Sequence, residues 1–148
     1  MEYTPIPIPD ALDPEDEGTV LKVLRQNLKQ YLFYERGKRA PLCPICGNSV
    51  TAPSMHEVLM PRNLVQRNSF NVKVQIHVSQ NCVLLHEPDC HRFAQHDPEG
   101  KEMCVKQLIE FEGYRNIVDW LNHMNSITTV VAKEPTRYFM NFIKENYG

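Results

Sequence analysis

A chain of 148 residues with 42% hydrophobic and 23% charged side chains has the balance of one globular domain, long enough for a single core with decorations around it. No run approaches the ~20 apolar residues of a membrane span, and Met1-Glu2-Tyr3-Thr4-Pro5 lacks the basic start and apolar centre of a signal peptide, so the expected setting is cytoplasmic. The net charge of −2 hides a division: 6 of the 18 acids lie in residues 1–17, which hold no Lys or Arg, while the remainder sets 16 bases against 12 acids, a balance of +4. That mildly basic body permits a phosphate-contacting surface without demanding one.

Residues 1–17 carry Pro5, Pro7, Pro9 and Pro14 among the acids and are expected to run extended and partly disordered, since proline opens the backbone and the acids bury nothing. Such an arm is either a solubilising tail or a segment that packs on a protein partner or on the chain's own basic face. Residues 18–148 read as one domain. Thr19 to Tyr34 is predicted helical, because Val20, Leu24, Leu28, Tyr31 and Leu32 recur at three- and four-residue steps. Gly37 is the expected stop. Lys29, Arg36, Lys38 and Arg39 then form the densest basic patch, either a solvated helix end or a phosphate contact.

Pro53 and Pro61 bracket a predicted strand, Ser54 to Met60, with His56 and Val58 on one face and Glu57 on the other. Val72, Val74, Ile76 and Val78 alternate with Asn71, Lys73, Gln75 and His77, which predicts a further strand. Cys82-Val83-Leu84-Leu85 reads as a buried strand, and Glu87-Pro88-Asp89 as a turn into a helix beginning near Asp89. Three more helices are predicted within residues 101–147: Lys101 to Glu112, stopped by Gly113, then Tyr114 to Met124, then Pro135 to Asn146. Their apolar stripes read as core. His77, His96 and His123 read as surface residues.

Five cysteines in an intracellular chain argue for metal rather than disulfides. Leu42-Cys43-Pro44-Ile45-Cys46-Gly47 is a knuckle whose tight turn aims two thiolates at one tetrahedral ion, so a second soft pair should lie downstream. His86 and Cys90 supply it. The predicted structural zinc ligands are therefore Cys43, Cys46, His86 and Cys90, with Cys82 and Cys104 left as small buried hydrophobes.

With those ligands removed, the same stretch retains His56, Asn81 and His91, in that order, within Ser54-Met55-His56-Glu57-Val58 and Gln80-Asn81-Cys82 through Cys90-His91. Together with the knuckle, this order resembles the HNH nuclease family, whose site is a β-hairpin followed by a helix. The resemblance covers about one third of the chain, residues 42–96, and the Asn81-to-His91 spacing is one residue longer than the family's usual one, matching the extra residue in His86-x-x-x-Cys90.

The resemblance implies an α+β fold, with a zinc-bound, treble-clef-like ββα centre flanked by N- and C-terminal helices. It implies a DNA endonuclease using Mg²⁺ or Mn²⁺, of the kind encoded by phages and mobile elements. By position, His56 is the base that deprotonates water, Asn81 orients the hairpin and its loop through backbone hydrogen bonds, and His91 binds the divalent ion or contacts the phosphate. A second register stays open, with His56 as a metal ligand and Glu57 as base or second ligand. The first is preferred because an unperturbed carboxylate is a weak base near neutrality. Gln95, four residues after His91, shares its helical face and is a further candidate for the ion or phosphate. Lys38, Arg39, Arg62, Arg67 and Arg92 are the candidate DNA contacts. Two competing readings remain: a non-catalytic zinc module that binds nucleic acid or protein, and a hydrolase whose zinc keeps an open coordination position.

Overall fold

Asp13 sets the start of the first helix, its side chain accepting the Asp16 N–H at 3.0 Å, with Pro14 pre-shaped for the first turn. Helix α1 (Pro14–Tyr34) therefore begins ahead of Thr19, inside the stretch read as an acidic arm. Glu15, Asp16 and Glu17 lie in its first turn, where carboxylates offset the positive end of the helix dipole. The computed structural model describes residues 3–8, 13–36 and 41–148, and of residues 130–132 the backbone. Lys38 and Arg39 lie outside the described residues.

Strands β1 (Ser54–Glu57) and β2 (Cys82–Leu85) pair antiparallel, with Ser54 opposite Leu85 and His56 opposite Val83. β1 stops at Glu57 rather than Met60 because the next backbone donors leave the ladder. Val58 N–H bonds the Asn81 carbonyl, and the Leu59 and Met60 N–H groups bond the Asn81 side chain.

Between the strands lie two short helices, α2 (Arg62–Val65) and α3 (Phe70–Gln75). The alternating stretch from Asn71 to Val78 thus folds in its first part as a helix, capped by Ser69, and not as a strand. An alternating pattern implies one wet and one dry face, and here both are dry beyond the half-buried Lys73. Val72, Val74, Ile76 and Val78 are buried, and so are the polar Gln75 and His77, at 1% and 4% exposure. Gln75 is buried because its amide is used twice over, accepting the Ile6 N–H and donating to the Ile6 carbonyl. It also accepts from the Tyr3 hydroxyl. The extended residues 3–8 are thereby tied to α3, and Tyr3 and Ile6 pack against the core.

Helix α4 (Asp89–His96) follows β2 directly, as the turn at Glu87 to Asp89 predicts. Helices α5 (Pro98–Glu112), α6 (Tyr114–Ile127) and α7 (Val130–Tyr147) complete the chain. Asp97 caps α5, which starts at Pro98 rather than Lys101. Gly113, at φ 84°, breaks α5 from α6 in a backbone conformation that side chains with a Cβ resist. Pro135, read as a helix start, lies inside α7.

The main core gathers the loop after β1, β2 and the C-terminal helices around Trp120, whose indole N–H donates to the Gln75 carbonyl at 2.9 Å. A smaller cluster of Leu28, Leu32, Cys82 and Leu84 packs α1 against the other face of the hairpin. The architecture is α-rich, with one two-stranded antiparallel sheet among the described residues. No described helix is long and apolar enough to cross a membrane.

Candidate functional site

The knuckle closes as its sequence predicts. Gly47 N–H bonds the Cys43 carbonyl, Cys43 N–H bonds the Asn48 carbonyl, and Gly47 takes φ 77° so that the chain can double back. His86 ends β2 and Cys90 lies in the first turn of α4, so hairpin and helix both deliver donors to the knuckle. The donor atoms of Cys43, Cys46, His86 and Cys90 all lie within 4.8 Å of one another.

The orientation of His86 identifies which atom faces the centre. Its Nε2 donates to the Ser49 carbonyl at 3.0 Å, which leaves Nδ1 with its lone pair 3.3 Å from Cys46 Sγ. A ligating histidine whose other ring N–H is held by a carbonyl is the usual outer-shell arrangement of a metal site. Ionisation within the set is split. Burial opposes ionisation of Cys43, but backbone hydrogen bonds at Cys46, His86 and Ile45 hold its thiol below the ordinary value. Burial, then Cys43 and Cys46, push the Cys90 thiol up. Crowded thiols with no countercharge behave this way, and a shared cation relieves it. Three thiols and one imidazole suit a metal such as zinc in a closed tetrahedral site.

A second group lies beside this cluster. His56 on β1 and His91 on α4 meet edge to face, ring centroids 5.0 Å apart at an interplanar angle of 67°. Nδ1 of His91 contacts the Glu87 carboxylate and lies 3.3 Å from the Ser54 hydroxyl, which itself donates to Glu87 at 2.7 Å. The carboxylate fixes the proton on Nδ1 and leaves Nε2 as the acceptor. Ser54 and His56 share a strand face, which is why both reach α4. Burial first, then His91 and Lys101, push His56 down to about 4, with Glu87 pulling the other way. His56 is therefore neutral near pH 7. The Ser54 and His91 hydrogen bonds hold Glu87 below the ordinary carboxylate range.

Asn81 is fully buried and makes four hydrogen bonds to backbone. Its Oδ1 accepts from Leu59 N–H at 3.0 Å and Met60 N–H at 2.9 Å, and its Nδ2 donates to the Met60 and Ile76 carbonyls at 3.0 Å each. This one amide ties both ends of the inter-strand segment to the base of β2.

The structure brings Glu57 to Arg62 rather than to His91. Alternation turns it to the opposite face of β1, where its Oε1 lies 3.0 Å from Arg62 Nε. That placement argues against Glu57 as a ligand shared with His91, and the carboxylate beside His91 is Glu87. Its signal in the sequence is the four-residue step from Glu87 to His91. Arg36, counted within the basic patch, is buried instead, donating to the Cys82 and Ser79 carbonyls and facing Glu112 and the Phe111 ring. Cys82 and Cys104 are fully buried, as expected of small hydrophobes.

His56 and His91 open into a cavity of about 1210 Å³, whose lining includes Arg62, Gln95 and Lys101. Arg67 and Arg92 are exposed and outside that lining. His77, predicted on the surface, is buried and also lines the cavity, while His96 is exposed at its wall. Among the described residues, the set around Cys43 is the one cluster of three or more Cys, His, Asp or Glu donors held this closely.

Comparison with known protein families, with curated proteins and with solved structures found no match.

Proposed function

We propose that the chain is a metal-dependent endonuclease of the HNH type that hydrolyses phosphodiester bonds in DNA. The observation that carries this reading is the meeting of His56 and His91 where hairpin joins helix, inside a cavity and apart from the thiolate cluster. A divalent ion, Mg²⁺ or Mn²⁺, supplies charge stabilisation at the phosphate and at the leaving oxygen when bound.

The side chains divide the remaining work. His56 accepts the proton of the attacking water, the low value that burial gives its ring rising when the negative charge of a phosphate lies beside it in the cavity. His91, held at Nδ1 by Glu87, would bind the ion or contact the phosphate through Nε2. Asn81 keeps the segment after β1 in register, so that His56 stays aimed. Lys101, and Arg62 beyond its ion pair, place positive charge where a phosphate would lie. A zinc ion held by Cys43, Cys46, His86 and Cys90 would fix the end of β2 against α4 and take no part in the chemistry.

The test is plasmid nicking by zinc-loaded protein in Mg²⁺ or Mn²⁺. Wild type should nick, and His56→Ala should lose about 10²–10⁴-fold in rate while keeping its zinc. A folded, zinc-loaded wild type that cleaves in neither ion would leave the non-catalytic zinc module as the better reading.

A further inference from the structure

The cavity over His56 is larger than the roughly 300–1,000 Å³ that suits a small ligand. Its lining comes from α1, α2, α3, α4, α5 and α7, with the hairpin as floor, as Leu21, Arg62, Lys73, Gln95, Lys101 and Tyr138 mark out. His56 on that floor is half-buried, so nucleic acid must enter the cavity to reach its imidazole, which a flexible unpaired strand does more readily than a stiff duplex. Tyr138 of α7 leaves 59% of its surface exposed, and unlike the exposed Tyr34 and Phe111 it lines the same cavity. Phe139 beside it is buried and meets it edge to face at 5.2 Å, which steadies the ring. Lys73 and Lys101 add two lining cations against the Glu134 carboxylate, while Arg62 meets the charge of Glu57, so the lining keeps a small positive excess. An exposed aromatic beside a basic trough is the combination by which proteins hold unpaired nucleic acid, bases on the ring and phosphates on the cations.

We propose that the substrate of this site is an unpaired DNA strand, with one base stacked on Tyr138 and the neighbouring phosphates led past Lys73 and Lys101 to His56. The proposal rests on the nuclease reading and names which form of DNA that nuclease takes.

The experiment uses zinc-loaded full-length protein and a DNA oligonucleotide carrying one 2-aminopurine, presented single-stranded or annealed to its complement, with binding read in Ca²⁺ and cleavage in Mn²⁺. The single strand should bind at least tenfold more tightly than the duplex, with the fluorophore quenched by stacking. Tyr138→Ala should weaken single-strand binding by about ten- to a hundredfold and relieve the quenching, and Tyr138→Trp should restore both. Because the ring is exposed, an unchanged circular dichroism spectrum and zinc content are expected for both variants. Equal affinity for duplex and single strand, or Tyr138→Ala binding as wild type does, would overturn the strand proposal while His56-dependent cleavage left the nuclease reading standing. Failure of wild type to bind or cut either form would overturn both.

Discussion

The Glu87 carboxylate accepts the hydrogen bond of His91 Nδ1–H across one turn at the head of α4, and Ser54 of β1 donates to the same carboxylate. Strand and helix therefore share a carboxylate that neither places alone, and the ring it holds is the one packed against His56. Glu87→Ala should lower cleavage about ten- to a hundredfold, the usual cost of losing such an outer partner. Because Glu87 is exposed and outside the thiolate set, zinc content and melting temperature should stay near wild type. Single-turnover cleavage alongside elemental zinc analysis checks both halves.

Asn81 bonds four backbone groups from full burial, so its replacement strands each of them away from water. Asn81→Ala should cost on the order of 3 kcal/mol or more. Asn81→Asp keeps the two accepting bonds but turns a carboxylate oxygen toward the Met60 and Ile76 carbonyls, and should be no milder. Urea denaturation followed by circular dichroism measures the loss, and a variant within experimental error of wild type would contradict the role given to this amide.

The metal cluster joins three stretches of chain, the knuckle, the end of β2 and the first turn of α4, so folding there should depend on the ion. Removing it with a strong chelator, or substituting Cys43→Ser, should abolish stoichiometric zinc and broaden or remove the cooperative thermal transition, because the binding free energy of a structural site is folding free energy. One zinc per chain is expected before chelation. A chelated protein with an unchanged melting curve would show that the cluster is not structural.

Burial, then Arg25 and Arg62, push His77 down to about 4. Its ring is neutral in the fold, with Nδ1 buried and without a hydrogen-bond partner, but an unfolded chain protonates it near 6.5. Between those values the unfolded state binds more protons, so stability is fully present above about pH 6.5 and falls as the pH drops toward about 4, by roughly 3 kcal/mol from this group at most. His77→Gln should remove that part of the slope. Acid also loosens the thiolate cluster in both proteins, so the quantity to measure is the difference between wild type and variant in urea midpoint at pH 7 and at pH 5. It should shift toward the variant at the lower pH.

The residues whose chemistry fixes a local geometry were legible in the sequence. Cys43, Cys46, His86 and Cys90 announce themselves by spacing, and β2 by its unbroken apolar run. Asn81 between two strands was legible as a residue that orients its loop. Elements decided by long-range burial were not. Val72 to Val78 alternates as a strand should, but Gln75 is buried because residues 3–8, distant in sequence, use its amide. Nothing local signals that. The acids at Glu15 to Glu17 suggested a solvated tail, whereas Asp13 and Pro14 turn the same charges into the start of α1. Arg36 belonged to a basic patch by composition, and only the fold places Cys82, Ser79 and Glu112 around it. Glu87 was visible as part of a turn, but its partnership with His91 needs α4 to begin at Asp89.

The proposed nuclease requires a second cation centre at His91, distinct from the thiolate cluster. Diffraction from crystals of zinc-loaded protein soaked in Mn²⁺, recorded on both sides of the zinc and manganese absorption edges, locates the two ions separately. The prediction is zinc among Cys43, Cys46, His86 and Cys90, with manganese against Nε2 of His91 inside the cavity and His56 facing it. Manganese found nowhere near His91, or either of those two imidazoles coordinating the zinc, would contradict it.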